Sequence, residues 1–173
     1  PEKAKELLTE AGYPQGFSAT LHLPAPYPLH RNAGEIIADQ LEAVGIKLKL
    51  EVIEWGTWLE QVNANRDYEL TVVGFTGRLD PHTMLNRYQS QSGRNISYFN
   101  NPEYDELLVQ GLEETDHAAR VEIYQQLQTI LAQEASNVYI MDPSQIAVMS
   151  RDLKGWANYP VYVLDLAPLY RSK

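Results

Sequence analysis

The side chains best suited to bind a ligand lie in three short segments, each placed after an apolar run. These segments hold Tyr27, then Trp55 and Trp58, and then the run GFTGRLDP that ends at Pro81. Aromatic rings with one arginine and one aspartate are typical of a small-molecule pocket, which is mostly apolar with a few orienting polar groups. The alternative for Tyr27, Trp58 and Phe75 is packing in a core above a sheet, whereas Trp55 directly follows a strand and is expected to face a cleft.

The sequence lacks the motifs of catalysis. It has no G-x-S-x-G, no glycine-rich phosphate loop and no H-E-x-x-H. His82 follows Asp80 and Pro81, which leaves an Asp/His metal site as an alternative, and Asp80 with Glu54 could be read as two hydrolase acids. No spacing rule supports that pair. We therefore predict no catalytic residue, no metal and no cofactor.

Composition narrows the class of protein. The chain has 173 residues, of which 44% are hydrophobic and 21% charged, and this predicts one globular domain with a real core. The net charge of −9 argues against nucleic-acid binding and against charge-driven docking on anionic lipid. Because cysteine is absent, disulfides, thiolate metal sites and cysteine nucleophiles are excluded. No run approaches the roughly 20 apolar residues of a membrane span.

The hydrophobic pattern of the first half predicts β-α-β-α-β after an opening helix at residues 2–11. The expected strands and helices are, in order, Ser18–Leu23, Leu29–Val44, Ile46–Val52, Trp55–Ala64 and Leu70–Phe75. Such close spacing implies parallel strands with right-handed crossovers. The predicted fold class is α/β, a mixed sheet with a parallel βαβαβ core flanked by helices. In such sheets ligands bind beyond the carboxyl ends of the strands, where the three segments lie.

The second half is mostly helical. Asn101 and Asp116 are expected to cap two helices, which run to about Glu113 and Ala135. Short strands are predicted at Val138–Met141 and Ile146–Met149. Because residue 1 is Pro and a helix begins at once, we expect a fragment of a longer protein, with a trimmed one-domain protein as the alternative.

Five segments, in this order and spacing, carry a resemblance over nearly the whole chain. They are AKELLTEAGYPQGF (Ala4–Phe17), EIIADQLEAVGIKLKLEVIEWGTWL (Glu35–Leu59), DYELTVVGFTGRLDP (Asp67–Pro81), RNISYFNNPEYDELL (Arg94–Leu108) and RVEIYQQLQTILAQEA (Arg120–Ala135). By these segments the chain resembles the carboxy-terminal lobe of the oligopeptide/dipeptide-binding family, the extracytoplasmic solute-binding proteins of ABC importers.

The resemblance implies a periplasmic-binding-protein-like lobe of a two-lobed receptor that closes around a peptide-like solute and delivers it to a membrane permease. Residues 1–145 would form the ligand-binding lobe. Residues 146–173 would form the hinge crossing and a tail that packs on the missing amino-terminal lobe, through Trp156, Tyr159, Tyr162, Leu164 and Leu166. The location would be periplasmic or otherwise extracytoplasmic, and membrane anchoring through the absent amino terminus stays open.

Position after the strands and the resemblance together predict the ligand contacts, which are Tyr27, Trp55, Phe75, Thr76, Arg78, Asp80 and Asn95. Peptide-binding members have an acid near the position of Arg78. A guanidinium there suits a carboxylate or phosphate, so the solute is peptide-like or anionic. Asp80 would either take a ligand amine or cap the following turn. The alternatives to a transport receptor are a small-peptide or glycoside hydrolase, and a sensor with the same fold.

Overall fold

The computed structural model describes residues 1–144, 146–159, 161 and 163–172. It divides into two compact units, Pro1–Phe75 and Thr76–Lys173. The boundary predicted between residues 145 and 146 falls inside the second unit, and Gln145 itself lies outside the described residues. Within the described ranges, no helix combines the length and apolar character needed to cross a membrane.

The first unit has the predicted order of elements. They are α1 Glu2–Glu10, β1 Ser18–Pro24, α2 Pro28–Glu42, β2 Lys47–Ile53, α3 Trp55–Trp58, a π-helix Leu59–Ala64 and β3 Leu70–Thr71. The strands form one parallel sheet in the order β2-β1-β3. The prediction of an α/β fold with a parallel core is therefore confirmed.

The third strand is shorter than predicted. Leu21 of β1 pairs with Leu70 and the next residue with Thr71, and pairing then stops. In this register Pro24, the last residue of β1, would face residue 73. Residues 74 and 75 lie past the end of β1, and Pro24 has no N–H to donate to a ladder. The predicted strand to Phe75 is therefore wrong beyond Thr71.

Helix α2 covers one face of this sheet. Leu21 and Leu23 of β1 are buried there with Ala33 and Val72. Gly34 permits the close approach, because a Cβ atom at this position would lie 2.6 Å from a methyl carbon of Leu23. The opposite face is covered by Trp58, which is only 2% exposed.

The second unit contains α4 Pro81–Leu85, a 3-10 turn Asn86–Tyr88, α5 Pro102–Glu113 and α6 His117–Gln133. Both predicted caps are confirmed, since Asn101 accepts a hydrogen bond from the Tyr104 amide and Asp116 from the Ala119 amide. These helices enclose one apolar core, formed by Leu85, Phe99, Tyr104, Leu108, Tyr124, Leu127 and Leu131.

The strands predicted at Val138–Met141 and Ile146–Met149 are absent from the described residues there. An apolar run alone cannot form a strand, because a ladder needs a partner for the backbone groups. Val148 is 94% exposed. Further on, β4 Leu153–Lys154 pairs antiparallel with β5 Tyr170–Arg171. Tyr162 lies outside the described residues.

Candidate functional site

The first unit holds an aromatic cluster at the carboxyl ends of β1 and β2. Tyr27 precedes α2, and Trp55 begins α3 directly after β2. Because β1 and β2 are parallel and end together, these two residues meet, with ring centroids 5.1 Å apart and planes at 82°. Tyr27 is 40% exposed and Trp55 is half-buried, so both can contact a ligand.

The buried side chain of Trp58 packs against this cluster. Its ring stacks on Trp55, with centroids 4.8 Å apart and planes 7° from parallel. Its indole Nε1 donates to Thr71 Oγ1 at 2.9 Å, and the Thr71 hydroxyl donates to the carbonyl oxygen of His22 at 2.8 Å. Trp58 is therefore the core residue that the sequence left as an alternative, and it fixes the plane of Trp55.

His30 belongs to the same cluster and was missed by the sequence analysis. Its ring lies 5.1 Å from that of Tyr27, and burial lowers the pKa of the imidazole. A Cβ atom on Gly74 would come within 2.9 Å of His30 Nε2, so a larger residue there would require the ring to shift. The available signal was its spacing, because a residue three positions after Tyr27 shares a face in the first turn of α2. Phe75, at the end of this unit, is 46% exposed.

The second unit begins with a polar loop. Thr76, Arg78 and Asp80 line a cavity of about 390 Å³ together with Gly77, Leu79, Thr83, Val161 and Val163. Three of the residues singled out in the sequence therefore face one cavity. The combination of two hydroxyl groups, a guanidinium and branched apolar side chains suits a small polar solute.

Arg78 lies close enough to Arg87 for its positive charge to act on that guanidinium. Burial lowers the pKa of Arg87, and the positive charges of Arg94 and Arg78 lower it further. In a chain of net charge −9, three neighbouring arginines create a local positive region. An anionic group placed there would reduce their repulsion.

Both carboxylate oxygens of Asp80 accept hydrogen bonds from donors within the protein. Its Oδ1 accepts from the His82 amide at 2.8 Å, which caps α4, and its Oδ2 accepts from Arg120 Nη2 at 3.0 Å. The hydrogen bond from Arg120 holds the pKa of this carboxyl below its ordinary value. A general acid needs a raised pKa, so this geometry does not suit the acid of a hydrolase.

The side chain of Asn95 is likewise hydrogen-bonded within the protein. It is 3% exposed, its amide nitrogen donates to the carbonyl oxygens of Phe99 and Gln89, and its oxygen accepts from the Phe99 amide and the Ser97 hydroxyl. These four contacts use the donors and acceptors of the side chain. Asn95 therefore stabilises its own loop, and we do not include it among the proposed ligand contacts.

In the described residues, no group of three or more His, Asp or Glu side chains is placed to hold a metal ion. Within the first unit, aromatic residues grouped after parallel strands are an arrangement found in ligand-binding α/β proteins. The model of bacterial extracellular solute-binding proteins, family 5, middle region, matches residues 1–95. The chain belongs to this family, as its resemblance predicted.

Individual relatives agree with this assignment. The dipeptide-binding protein of Escherichia coli K12 is 30% identical over 170 residues, which cover 93% of this chain and 32% of that protein. The chain thus spans about a third of the length of the curated relatives that it matches. Haemophilus influenzae OppA, solved in complex with RPPGFSPFR, matches 99% of this chain and 34% of its own, with TM-score 0.86 and 26% identity. The PBP AgaA of A. tumefaciens R10, solved in complex with agropinic acid, matches 78% of this chain and 28% of its own, with TM-score 0.71 and 32% identity.

Proposed function

We propose that this chain is a ligand-binding lobe of an extracytoplasmic receptor, which captures a small peptide-like or anionic solute for an ABC importer. The observation that carries the proposal is the meeting of Tyr27 and Trp55 where two parallel strands end, in a member of a solute-binding family. The names of the relatives agree, since they describe binding of dipeptides, of the peptide RPPGFSPFR and of agropinic acid.

The proposed contacts differ in chemistry. Tyr27, Trp55 and Phe75 offer partly exposed rings that can pack against apolar or planar parts of a solute. Thr76 offers a hydroxyl, and Arg78 offers a planar fork for a carboxylate or phosphate. Asp80 is proposed to act on the ligand indirectly, because it caps α4 and so holds the end of the loop that carries Arg78.

Arg78 is the proposed charge-selecting residue. Its position among Arg87 and Arg94 favours an anion over a ligand amine, because like charges repel. The AgaA relative supports this choice, since the name of its ligand identifies an acid.

Residues 146–173 are proposed to pack on the remainder of a longer receptor. The relatives are about three times as long as the matching region. Val148, Leu164 and Leu166 are 94%, 61% and 64% exposed, which is a large apolar exposure for one short segment. The longer protein would contact the permease, and its anchoring in a membrane remains part of the proposal.

The relatives are binding proteins, and we propose that this chain also has no catalytic role. The alternative hydrolase requires a carboxyl at Asp80 that is available to the substrate, and both of its oxygens already accept from the His82 amide and Arg120.

The decisive experiment identifies the solute. The longer receptor, purified without denaturation, is examined by native mass spectrometry, and we expect a stoichiometric small molecule that carries a carboxylate or phosphate. Titration calorimetry then compares wild type with Arg78→Ala, which should lose about 2–5 kcal/mol of binding free energy if the charge pair is desolvated. The matched control is Arg66→Ala, in the other unit. Equal affinity of wild type and Arg78→Ala would remove Arg78 from the proposal, and turnover of a bound peptide would replace the receptor with an enzyme.

A further inference from the structure

The loop that carries Arg78 has little structure of its own. Residues 76–79, all of them described, form neither helix nor strand, and α4, which follows, has only five residues. Such a segment needs an external anchor if its side chains are to be held for binding.

The far end of α4 is anchored in the core. Leu85 is buried, and its carbonyl oxygen accepts a hydrogen bond from the Tyr104 hydroxyl at 2.7 Å. This contact fixes the carboxyl end of α4. The amino end, where the loop is attached, depends on Asp80.

Asp80 connects that amino end to Arg120 on the long helix α6. One carboxylate oxygen accepts from the His82 amide and the other from Arg120 Nη2 at 3.0 Å. The side chains of Arg120 and Asp80 are 30% and 48% exposed, so the pair lies at the rim of the core and is partly accessible to water.

Arg120 is itself fixed by several contacts. Its Nε donates to the Gly111 carbonyl oxygen at 3.0 Å and its Nη2 also donates to the Tyr124 hydroxyl at 3.2 Å. The buried Tyr124 hydroxyl donates to the same Gly111 oxygen at 3.0 Å, and the guanidinium carbon lies 4.9 Å from the Tyr124 ring centroid. The guanidinium is thus held by α5 and α6 before it reaches Asp80.

We infer that Arg120 is a positioning residue for ligand binding, because it joins the loop of Thr76 and Arg78 to α6 through Asp80. This inference rests on the proposed function, since loop position affects affinity only if the loop contacts the solute. Arg120 has no contact with the cavity of its own and acts through Asp80. Lysine cannot replace it fully, because one ammonium group cannot reproduce the fixed fork that reaches Gly111 and Asp80 together.

Hydrogen exchange of the 173-residue chain tests the anchor without a ligand. In Arg120→Met, we expect the amides of His82 and Thr83, which donate to Asp80, to exchange at least about 10-fold faster, while those of Leu127 and Leu131 keep their wild-type protection. Arg120→Lys should be intermediate, and Arg31→Met in the other unit is the matched control. Unchanged exchange at His82 and Thr83, or uniform acceleration over all of α6, would overturn the inference.

Affinity for dialanine, measured in the longer receptor, tests the consequence for binding. We expect Arg120→Met to weaken binding about 3- to 10-fold, and to have no further effect when Arg78 is already alanine. If Arg120 had a purely structural role, Arg120→Met would weaken dialanine binding by the same factor in the Arg78→Ala background as in wild type. That result would overturn the inference. If the wild-type receptor binds no dialanine, the proposal of a peptide-like solute fails, and the exchange experiment alone decides the role of Arg120.

Discussion

Removal of a single hydroxyl should measure how firmly α4 is held to the core of the second unit. Tyr104 is fully buried, and burial raises the pKa of its hydroxyl, which therefore stays protonated and donates to the Leu85 carbonyl oxygen at 2.7 Å. Tyr104→Phe keeps the ring and its edge contact with Phe99, whose centroid is 5.3 Å away. The substitution therefore isolates one hydrogen bond.

The expected cost follows from what remains after the hydroxyl is removed. The Leu85 carbonyl keeps its buried position and loses this partner, which should destabilise the unit by about 1–3 kcal/mol. With a urea dependence of about 2 kcal/mol per M, the unfolding midpoint should fall by about 0.5–1.5 M.

The assay must report on the second unit, because the two units need not unfold together. Hydrogen exchange of the Leu108 and Leu127 amides as a function of urea provides this, since both residues lie in the same core. Tyr13→Phe is the control, because Tyr13 is 52% exposed and its hydroxyl can be replaced by water contacts. A Tyr104→Phe midpoint equal to that of the control would refute the reasoning.

Three further predictions concern the loop and the tail. Because Arg120 lowers the pKa of Asp80 below its ordinary value of 3.8, the pair stabilises the native state at neutral pH. This contribution should be lost as pH falls below about 4 toward the lowered pKa, and urea titrations should show a steeper acid loss in wild type than in Asp80→Asn. Calorimetry of the isolated 173-residue chain should show no micromolar peptide ligand, because one lobe buries too little of a solute; one tight stoichiometric ligand would contradict this. Hydrogen exchange at residues 153–159 should show weak protection that rises with protein concentration, whereas strong protection in a dilute monomer would mean that the tail completes this domain.

Local signals in the sequence were sufficient to predict the two long helices of the second unit, α5 and α6. Asn101 and Asp116 accept from the amides of nearby residues, so their chemistry is complete within one turn and can be predicted from spacing alone. The same holds for the parallel order of the first strands, because short crossovers leave few other topologies. These predictions fixed where Tyr27 and Trp55 would meet.

Contacts between distant residues could not be predicted in this way. The partner of Asp80 is Arg120, which lies 40 positions later and carries no local mark of that role. The apolar run at Val138–Met141 has residues typical of a strand. Strand formation also requires a partner strand, which the described residues do not supply. Asn95 shows the same limit, because a resemblance locates a residue and does not reveal which donors its amide already serves.

The contacts of Asp80 and the charges around Arg78 both bear on the charge of the proposed solute. Asp80 has both carboxylate oxygens engaged by protein donors, so its negative charge is already balanced by Arg120. Arg78 lines the cavity and lies among like charges, which lower the pKa of Arg87 beyond the effect of burial. An amine placed near Arg78 would add to that repulsion, whereas a carboxylate would relieve it. The proposed selection of an anion in this loop therefore depends on two separate features, the engagement of its acid and the grouping of its arginines.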